Sequence, residues 1–484
     1  NLIMDFGDLK MYIGGKLVDS INKSTRKIIC PADESEIANI SWANSEDAEL
    51  ALNAAVIGFK KWSALTLDQR TEWINKLRNA VLKNEELLRM SIIYEMGKTY
   101  DASYEDIEAL VNSLEFYPKA MKEHFNEKNI DDRENTHTHL MVSSPVGVSV
   151  AYLAWNFPLL NIAFKIGPAL ASGCSIIIKP SELSPVSAYL LGKIIYDINF
   201  PSGVINILCG NPEEVATTLS KSTIPRLVTM IGSTNTGKKV ISDSSSSIKK
   251  LSMELGGNAP FIVFDDADFD AALDLAIGIK FGNSGQICVA ANRFFIHEKI
   301  YHSFLKAYIE RVRKLKLGFG KNKKLDMGPL ISKDSRNRII DLVKDAIDNG
   351  ACLEEGGKIP KKFKNGYWYE PTVLTKVNED MRIFKEEIFG PVASIMSFND
   401  EDDVLRLANK TNYGLASYLF TKNKKRIDFF SRNLNFGEVQ VNGIKYAIYL
   451  PHGGVKESGI GHDCSHLALE DYLSKKRISI AINK

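Results

Sequence analysis

Short, almost wholly apolar runs alternate with helical segments over much of this 484-residue chain. Four runs occupy residues 146–151, 175–178, 204–208 and 226–231, and a fifth occupies residues 260–264 before a helical segment at residues 269–280. Strands this apolar are buried on both faces, which is typical of parallel sheets covered by helices. The chain is also too long for one hydrophobic core, so the sequence predicts an α/β protein with two doubly wound open-sheet domains.

Helical patterns dominate the prediction for the first hundred residues. An acidic turn after a cap at Ser45 opens an amphipathic segment to about Trp62, and a second amphipathic segment covers residues 66–83. The polar stretch at residues 126–138 interrupts the first domain, and its composition favours a hairpin or arm over a helix.

Charge and cysteine usage exclude several classes of function. The formal net charge is +2 at pH 7, with both signs scattered along the chain, which argues against a nucleic-acid surface. No run of about 18 apolar residues occurs, so no membrane span is predicted. The six cysteines lie far apart without the spacing of a zinc site. We therefore expect a cytoplasmic protein with free thiols, no metal site and no nucleic-acid or membrane partner.

Cys288 is the cysteine whose surroundings fit chemistry best. It ends the segment NSGQIC at residues 283–288, where Gly285 lets the backbone bend close to a reacting centre. Small and polar neighbours leave the sulfur approachable, although an inert buried thiol is the common alternative for a lone cysteine. Cys288 is therefore a candidate nucleophile that requires partners.

Two segments offer such partners. Glu254 precedes a Gly-Gly turn in the segment MELGGN, 34 residues before Cys288 (288 minus 254), and its carboxylate could enter a cleft. Asn156 lies between aromatic residues in the segment AWNFP at the end of a predicted strand. A surface glutamate and a turn packed by aromatic rings are the ordinary alternatives for these two segments.

Two further segments fit a nucleotide cofactor. Lys179 and Glu182 follow the apolar run at residues 175–178, and ligands of open α/β sheets bind at the carboxyl ends of the strands. Gly232 and Ser233 begin a turn before a helix that is predicted near Thr236, where backbone N–H groups and the helix dipole favour a pyrophosphate. An ordinary charged turn is the alternative for the first segment.

In this order, the segments around Cys288, Glu254 and Asn156 resemble those of the aldehyde dehydrogenase superfamily, and the similarity covers essentially the whole chain. The resemblance implies that Cys288 is the nucleophile, that Glu254 is the general base and that Asn156 donates a hydrogen bond to the oxyanion. It also implies a proton relay through Lys165 that ends at Asp463, where relatives often have glutamate. Ala154 stands where the family usually has proline.

The resemblance implies NAD as the cofactor, with NADP less favoured. Lys179 would bind the adenosine ribose, and Glu182 would accept the ribose 2′-hydroxyl but repel a 2′-phosphate. The remaining expected cofactor contacts are Trp155, Gly232, Ser233, Glu387 and Phe389. The glycine-rich segment at residues 451–459 is similar to a closing motif of the family, and we interpret it as positional rather than chemical.

The predicted activity is NAD-dependent oxidation of a small aliphatic or hydroxy-aldehyde to its carboxylic acid, through a Cys288 thiohemiacetal and thioester. Lactaldehyde, succinate-semialdehyde and aminobutyraldehyde dehydrogenases are the similar enzymes. Phe164 and Gly282 stand where succinate-semialdehyde enzymes carry arginines, so succinate semialdehyde is a less favoured substrate but is not excluded. A CoA-acylating enzyme generally lacks the glutamate at Glu254, and a catalytically silent relative would lack the nucleophile or base.

The resemblance also implies a domain organisation. Residues 1–125 and 142–256 would form the Rossmann-like NAD-binding domain, and residues 257–455 the catalytic domain. Residues 126–141 and 472–484 would form a small oligomerisation arm of a homodimer or homotetramer.

Overall fold

The structure, a computed structural model, describes residues 4–322 and 324–482. The first three residues of the predicted NAD-binding domain, residue 323 of the predicted catalytic domain and the last two residues of the predicted arm lie outside the described residues.

The larger sheet has eight strands and a parallel centre. In spatial order its strands are Gly459–Ile460, Lys250–Glu254, Pro225–Ile231, Val148–Tyr152, Ser175–Lys179, Ile205–Ile207, Met11–Ile13 and Lys16–Val18. The five strands from Lys250–Glu254 to Ile205–Ile207 are mutually parallel, and the outer strands are antiparallel. The predicted apolar runs therefore become neighbouring buried strands.

The second sheet has seven strands. In spatial order these are Cys352–Glu355, Thr372–Thr375, Val392–Phe398, Ala291–His297, Ala259–Val263, Ala416–Phe420 and Glu438–Val441, and all but the first pairing are parallel. Phe261 and Val263 pack into one core cluster, whereas Ile262 packs into the cluster on the other side. Alternate residues of one strand thus enter two cores, which confirms the prediction of two doubly wound α/β sheets.

Fifteen α-helices connect and cover the strands within the described residues. They are Ser45–Ser63, Leu67–Lys83, Glu85–Met96, Tyr100–His124, Pro158–Ser172, Val186–Asp197, Pro212–Lys221, Thr234–Asp243, Phe269–Phe281, Glu298–Arg313, Lys333–Asp348, Arg382–Lys385, Glu401–Asn409, Lys424–Asn433 and Leu469–Tyr472. No helix in this described part of the chain combines the length and the apolar character that crossing a membrane requires.

The prediction of a largely helical first hundred residues is wrong for the part before Ser45. Strands Asp8–Leu9, Glu36–Ser41 and Thr25–Ile29 form a small sheet, and Met11–Ile13 and Lys16–Val18 extend the eight-stranded one. The helix cap is Asn44 rather than Ser45, because Asn44 has extended backbone and accepts from the Asp47 N–H at 3.0 Å. Its own N–H donates to Asp47 at 2.9 Å, which completes a capping box.

The polar stretch after the fourth helix forms the predicted hairpin. Strand Lys128–Ile130 pairs antiparallel with His137–Pro145, and Leu473–Ala481 pairs with the other edge of His137–Pro145. The hairpin and one strand that is distant in sequence therefore form a small three-stranded sheet. Several isoleucines of this sheet and its end are exposed, namely Ile130, Ile478, Ile480 and Ile482.

Candidate active site

A cleft of about 1450 Å³ runs between the carboxyl ends of the parallel strands of the larger sheet and the amino ends of the parallel strands of the second sheet. Its walls include the predicted catalytic side chains Cys288, Glu254 and Asn156. They also include the predicted cofactor contacts, which are Trp155, Lys179, Glu182, Gly232, Ser233, Glu387 and Phe389. The volume exceeds that of a typical pocket for one small ligand. The tertiary structure thus brings ten of the eleven predicted site residues to one cavity.

Cys288 lies on a tightly wound connection between helix Phe269–Phe281 and strand Ala291–His297. Asn283, Ser284 and Gly285 follow one another with φ angles of 51°, 60° and 74°, all in the left-handed region. A Cβ atom on Gly285 would lie 2.1 Å from the Gly390 carbonyl oxygen, so a larger residue would displace backbone. The glycine noted in the sequence therefore sets the path of the loop that carries the thiol.

The Glu254 segment packs directly against this loop. A Cβ atom on Gly257 would lie 2.3 Å from the Cys288 carbonyl oxygen, so the absence of a side chain allows the two backbones to meet. Glu254 ends strand Lys250–Glu254 and is 4% exposed, and neither of its carboxyl oxygens has a regular hydrogen bond. Burial raises the pKa of Glu254 to about 8, against the opposing attraction of His452. A base with this pKa can gain and lose a proton near neutral pH.

Asn156 is held so that its amide nitrogen faces the Cys288 loop. Nδ2 donates to the Gln286 carbonyl at 3.1 Å, and Oδ1 accepts from the Asn161 amide at 3.2 Å. An amide nitrogen carries two hydrogens, so one donor remains for a ligand beside Cys288. The helix that follows Asn156 is anchored at its start by Asp106, which accepts hydrogen bonds from the N–H groups of Leu159 and Leu160 at 3.0 Å.

Lys165 is the predicted site residue that does not line the cavity. Its ammonium donates to Asp463 at 2.7 Å, and both side chains are buried. The second Asp463 oxygen is buried without a regular hydrogen bond, and Asp463 lines the cleft. Lys165 is therefore connected to the cleft through Asp463, the residue predicted at the end of its proton relay.

The cofactor residues present a surface that fits a dinucleotide. Lys179 is buried, and its ammonium donates a long hydrogen bond of 3.4 Å to the Pro180 carbonyl, so donors remain for ribose hydroxyls. Ser233 caps helix Thr234–Asp243, whose N-terminus opens on the cleft. At the other end, Trp155 and Phe389 meet edge to face at 5.4 Å. Burial raises the pKa of Glu387 to about 7.

Sequence reasoning missed His452. Its Nε2 lies 3.3 Å from Glu254 Oε2, its Nδ1 lies 2.7 Å from Glu438 Oε1, and His452 lines the cleft together with Cys288. The segment at residues 451–459 therefore carries an ionisable group to the nucleophile, which a purely positional interpretation did not include. The available signal was a histidine directly before a Gly-Gly pair. Glu438 had no sequence signal because it belongs to an ordinary short strand.

The chain is similar to known proteins over almost its whole length. The aldehyde dehydrogenase family model matches residues 18–478. The mitochondrial succinate-semialdehyde dehydrogenase of Oryza sativa is 38% identical over 96% of this chain and 88% of its own length. The betaine aldehyde dehydrogenase of Bacillus subtilis is 34% identical over 97% of this chain and 96% of its own length. A crystal structure of Staphylococcus aureus betaine aldehyde dehydrogenase in complex with NAD⁺ superposes with a TM-score of 0.95 at 35% identity, covering 98% of this chain and 95% of that one.

The fold and the site define an NAD(P)-dependent oxidoreductase. The chain belongs to the aldehyde dehydrogenase family, which confirms the resemblance that its motifs indicated.

Proposed function

We propose that this chain oxidises a small aliphatic or hydroxy-aldehyde to its carboxylic acid, with NAD, through a covalent adduct on Cys288. The observation that carries the proposal is the convergence of a thiol, a buried carboxyl group of raised pKa and a free amide donor in one cleft. A panel of aldehydes of different length and charge, scored by kcat/KM with NAD, tests it. No turnover with any aldehyde would contradict the proposal.

Cys288 and Asn156 act in the first half of the reaction. The thiolate sulfur attacks the aldehyde carbonyl carbon, and the carbonyl oxygen becomes the oxyanion of a thiohemiacetal. The Asn156 amide and the Cys288 backbone N–H stabilise that oxyanion, and one such donor contributes about 100 to 1,000-fold in rate. A nicotinamide cofactor held by Lys179, Glu387 and Phe389 would supply the hydride acceptor for this adduct, and a thioester would remain on Cys288.

Glu254 acts in the second half of the reaction, which is hydrolysis of the thioester. Its carboxylate takes a proton from water, the water oxygen attacks the thioester carbonyl, and the carbon–sulfur bond breaks to release the acid. Glu254 has free acceptor atoms for that water because neither oxygen has a regular hydrogen bond. Lys165 and Asp463 would pass the proton onward, since both act electrostatically on Glu254. A CoA-acylating reaction is disfavoured because Glu254 would serve hydrolysis.

The lining of the cleft supports a small uncharged substrate. Apolar side chains of the cleft wall include Leu160, Phe164, Ile287, Val289 and Ile448. Semialdehydes form the second candidate class, since the Oryza sativa relative is named for succinate semialdehyde. Phe164 provides no charge for a substrate carboxylate, although Lys119 and Lys445 line the same cleft. Amino-aldehydes are the third class, and the carboxylates of Glu108 and Glu115 in the wall would attract their cation.

Glu182 is proposed to select NAD over NADP. Two unit charges 4 Å apart repel by about 4 kcal/mol at an effective dielectric constant of 20, so a carboxylate beside the ribose 2′ position would disfavour a phosphate. We expect a kcat/KM at least about tenfold higher with NAD, and Glu182→Gln should narrow that ratio. The exposed Glu213→Gln is the matched control.

The cofactor prediction fails if the unmodified enzyme uses NADP as well as NAD. That outcome has to be tested, since one relative is named an NADP⁺-dependent succinate-semialdehyde dehydrogenase in Escherichia coli.

The three-stranded edge sheet is the proposed oligomerisation arm. Its exposed isoleucines would be covered in a homodimer or homotetramer, and light scattering of the purified protein would distinguish these assemblies from a monomer. The free cysteines fit a reducing compartment, and we propose the cytoplasm.

A further inference from the structure

His452 is enclosed on every side by groups of the reaction site. Phe164 and Tyr446 face its ring at centroid distances of 6.0 and 5.9 Å, and the residue is 9% exposed. Its backbone is fixed by two hydrogen bonds with Asp463, from the His452 N–H at 2.9 Å and from the Asp463 N–H at 2.7 Å. The imidazole is therefore held in place by packing and by backbone pairing.

Two carboxyl groups flank the ring. Glu254 lies at Nε2 and Glu438 lies at Nδ1, at 3.3 and 2.7 Å. The short contact with Glu438 lacks the alignment of a regular hydrogen bond, since both atoms are buried without one, so we describe it as a charge contact. Buried polar atoms without regular hydrogen bonds gather here, at Glu254, Glu438, His452 and Asp463. Such a concentration in a folded protein is typical of a functional site.

The electrostatics favour a cationic imidazole. Burial alone would lower the pKa of His452, but Glu254, the Cys288 side chain and Glu438 together raise that pKa well above its usual value. The titratable or charged groups that act on the ring are Glu254, Cys288, Glu438, Tyr446 and Cys464, with Asp463 paired through its backbone.

The Cys288 thiol, in contrast, has to lose its proton in order to react as a nucleophile. Burial raises the pKa of the Cys288 thiol, and the charge of Glu254 raises it further, whereas His452 lowers it. An unperturbed thiol is only about 3% ionised at pH 7, so a buried one needs a neighbour that takes its proton. His452 is the neighbour that lowers the pKa of the thiol, so it is suited to this step.

We propose that His452 is a further catalytic residue, which accepts the Cys288 thiol proton and stabilises the thiolate as an imidazolium, with Glu438 as the residue that positions it. The S–H bond breaks, its electron pair stays on sulfur, and the proton moves to the imidazole. The proposal rests on Cys288 as the nucleophile, and it leaves Glu254 free to act on the water of the later hydrolysis.

Alkylation without aldehyde or cofactor tests this step directly. Iodoacetamide would be reacted with the full-length enzyme between pH 6 and 10, and modification of the Cys288 peptide would be followed by mass spectrometry, with Cys288→Ala reporting background. We expect His452→Gln to slow alkylation at least about tenfold at pH 7.5, with the difference closing near pH 10, because an adjacent cation shifts a pKa by about one to three units. The exposed His462→Gln is the control and should match the unmodified enzyme.

Two more variants keep the test independent of folding. His452→Phe retains a ring between Phe164 and Tyr446 and should lose reactivity as His452→Gln does. Glu438→Gln keeps the histidine but removes its charge partner, and alkylation at pH 7.5 should slow by about two- to tenfold. An unchanged pH profile in both histidine variants would overturn the proposal, and an unchanged profile in Glu438→Gln would remove Glu438 from it.

The outcomes separate this proposal from the proposed function. Continued aldehyde oxidation by Cys288→Ala would refute the covalent mechanism, whatever the alkylation profiles are. An inactive Cys288→Ala together with unchanged alkylation of His452→Gln would refute only the role of His452.

Discussion

Cys288→Ala is expected to abolish NADH formation with every aldehyde, with a fall of at least about 10⁴-fold in kcat. The reason is that Cys288 is the thiol on the loop that the Asn156 amide contacts, and alanine leaves the oxyanion donors with nothing to stabilise. Cofactor binding should survive because Cys288 does not hold the fold together and its loop is shaped by Gly285 and Gly257. The measurements are NADH absorbance under saturating aldehyde and NAD binding by fluorescence.

Cys352→Ala is the matched control for this loss. Cys352 is also a free, partly exposed cysteine, but it lies on the edge strand Cys352–Glu355, away from the cleft. It should keep full activity. Appreciable turnover by Cys288→Ala would mean that the thiol is not the nucleophile.

Glu254→Gln is expected to separate the two halves of the reaction. Hydride transfer precedes hydrolysis, so the variant should release a burst of about one NADH per active site and then turn over at least about 100-fold more slowly. The pKa of Glu254 is raised to about 8, so at pH 7 the ionised base is the minority form. When hydrolysis limits the rate, steady-state turnover of the unmodified enzyme should rise with pH through about 8 and then level, and the variant should lack that rise.

Stopped-flow NADH absorbance, followed by steady-state rates between pH 6 and 9.5, measures both effects. The exposed Glu310→Gln serves as the control, since that side chain lies outside the cleft. A steady-state rate equal to that of the unmodified enzyme would exclude Glu254 as the base of hydrolysis.

Much of the fold was predictable because local patterns reflect local physics. The run at residues 226–231 became strand Pro225–Ile231, and the predicted helix at residues 269–280 became Phe269–Phe281. The strands before Ser45 were not predicted because they are two to six residues long, which is too short for an alternation of apolar and polar residues to stand out.

The site residues also fall into those that the sequence indicated and those that it did not. Cys288, Glu254 and Asn156 were identifiable because each lies in a motif with glycine or aromatic neighbours, and the cavity then unites them. His452 lies 164 residues after Cys288 (452 minus 288), and Glu438 lies on a strand of ordinary composition. No spacing along the chain indicates that their side chains meet at the thiol.

The sequence by itself determined the family, the two parallel sheets and the residues that carry the expected chemistry, since hydrophobic period and turn glycines act over a few residues. Only the tertiary structure decided which charges surround the nucleophile. Burial and the neighbouring charges set the pKa values of Glu254 and His452, and these depend on distances between segments that the chain brings together only when it folds.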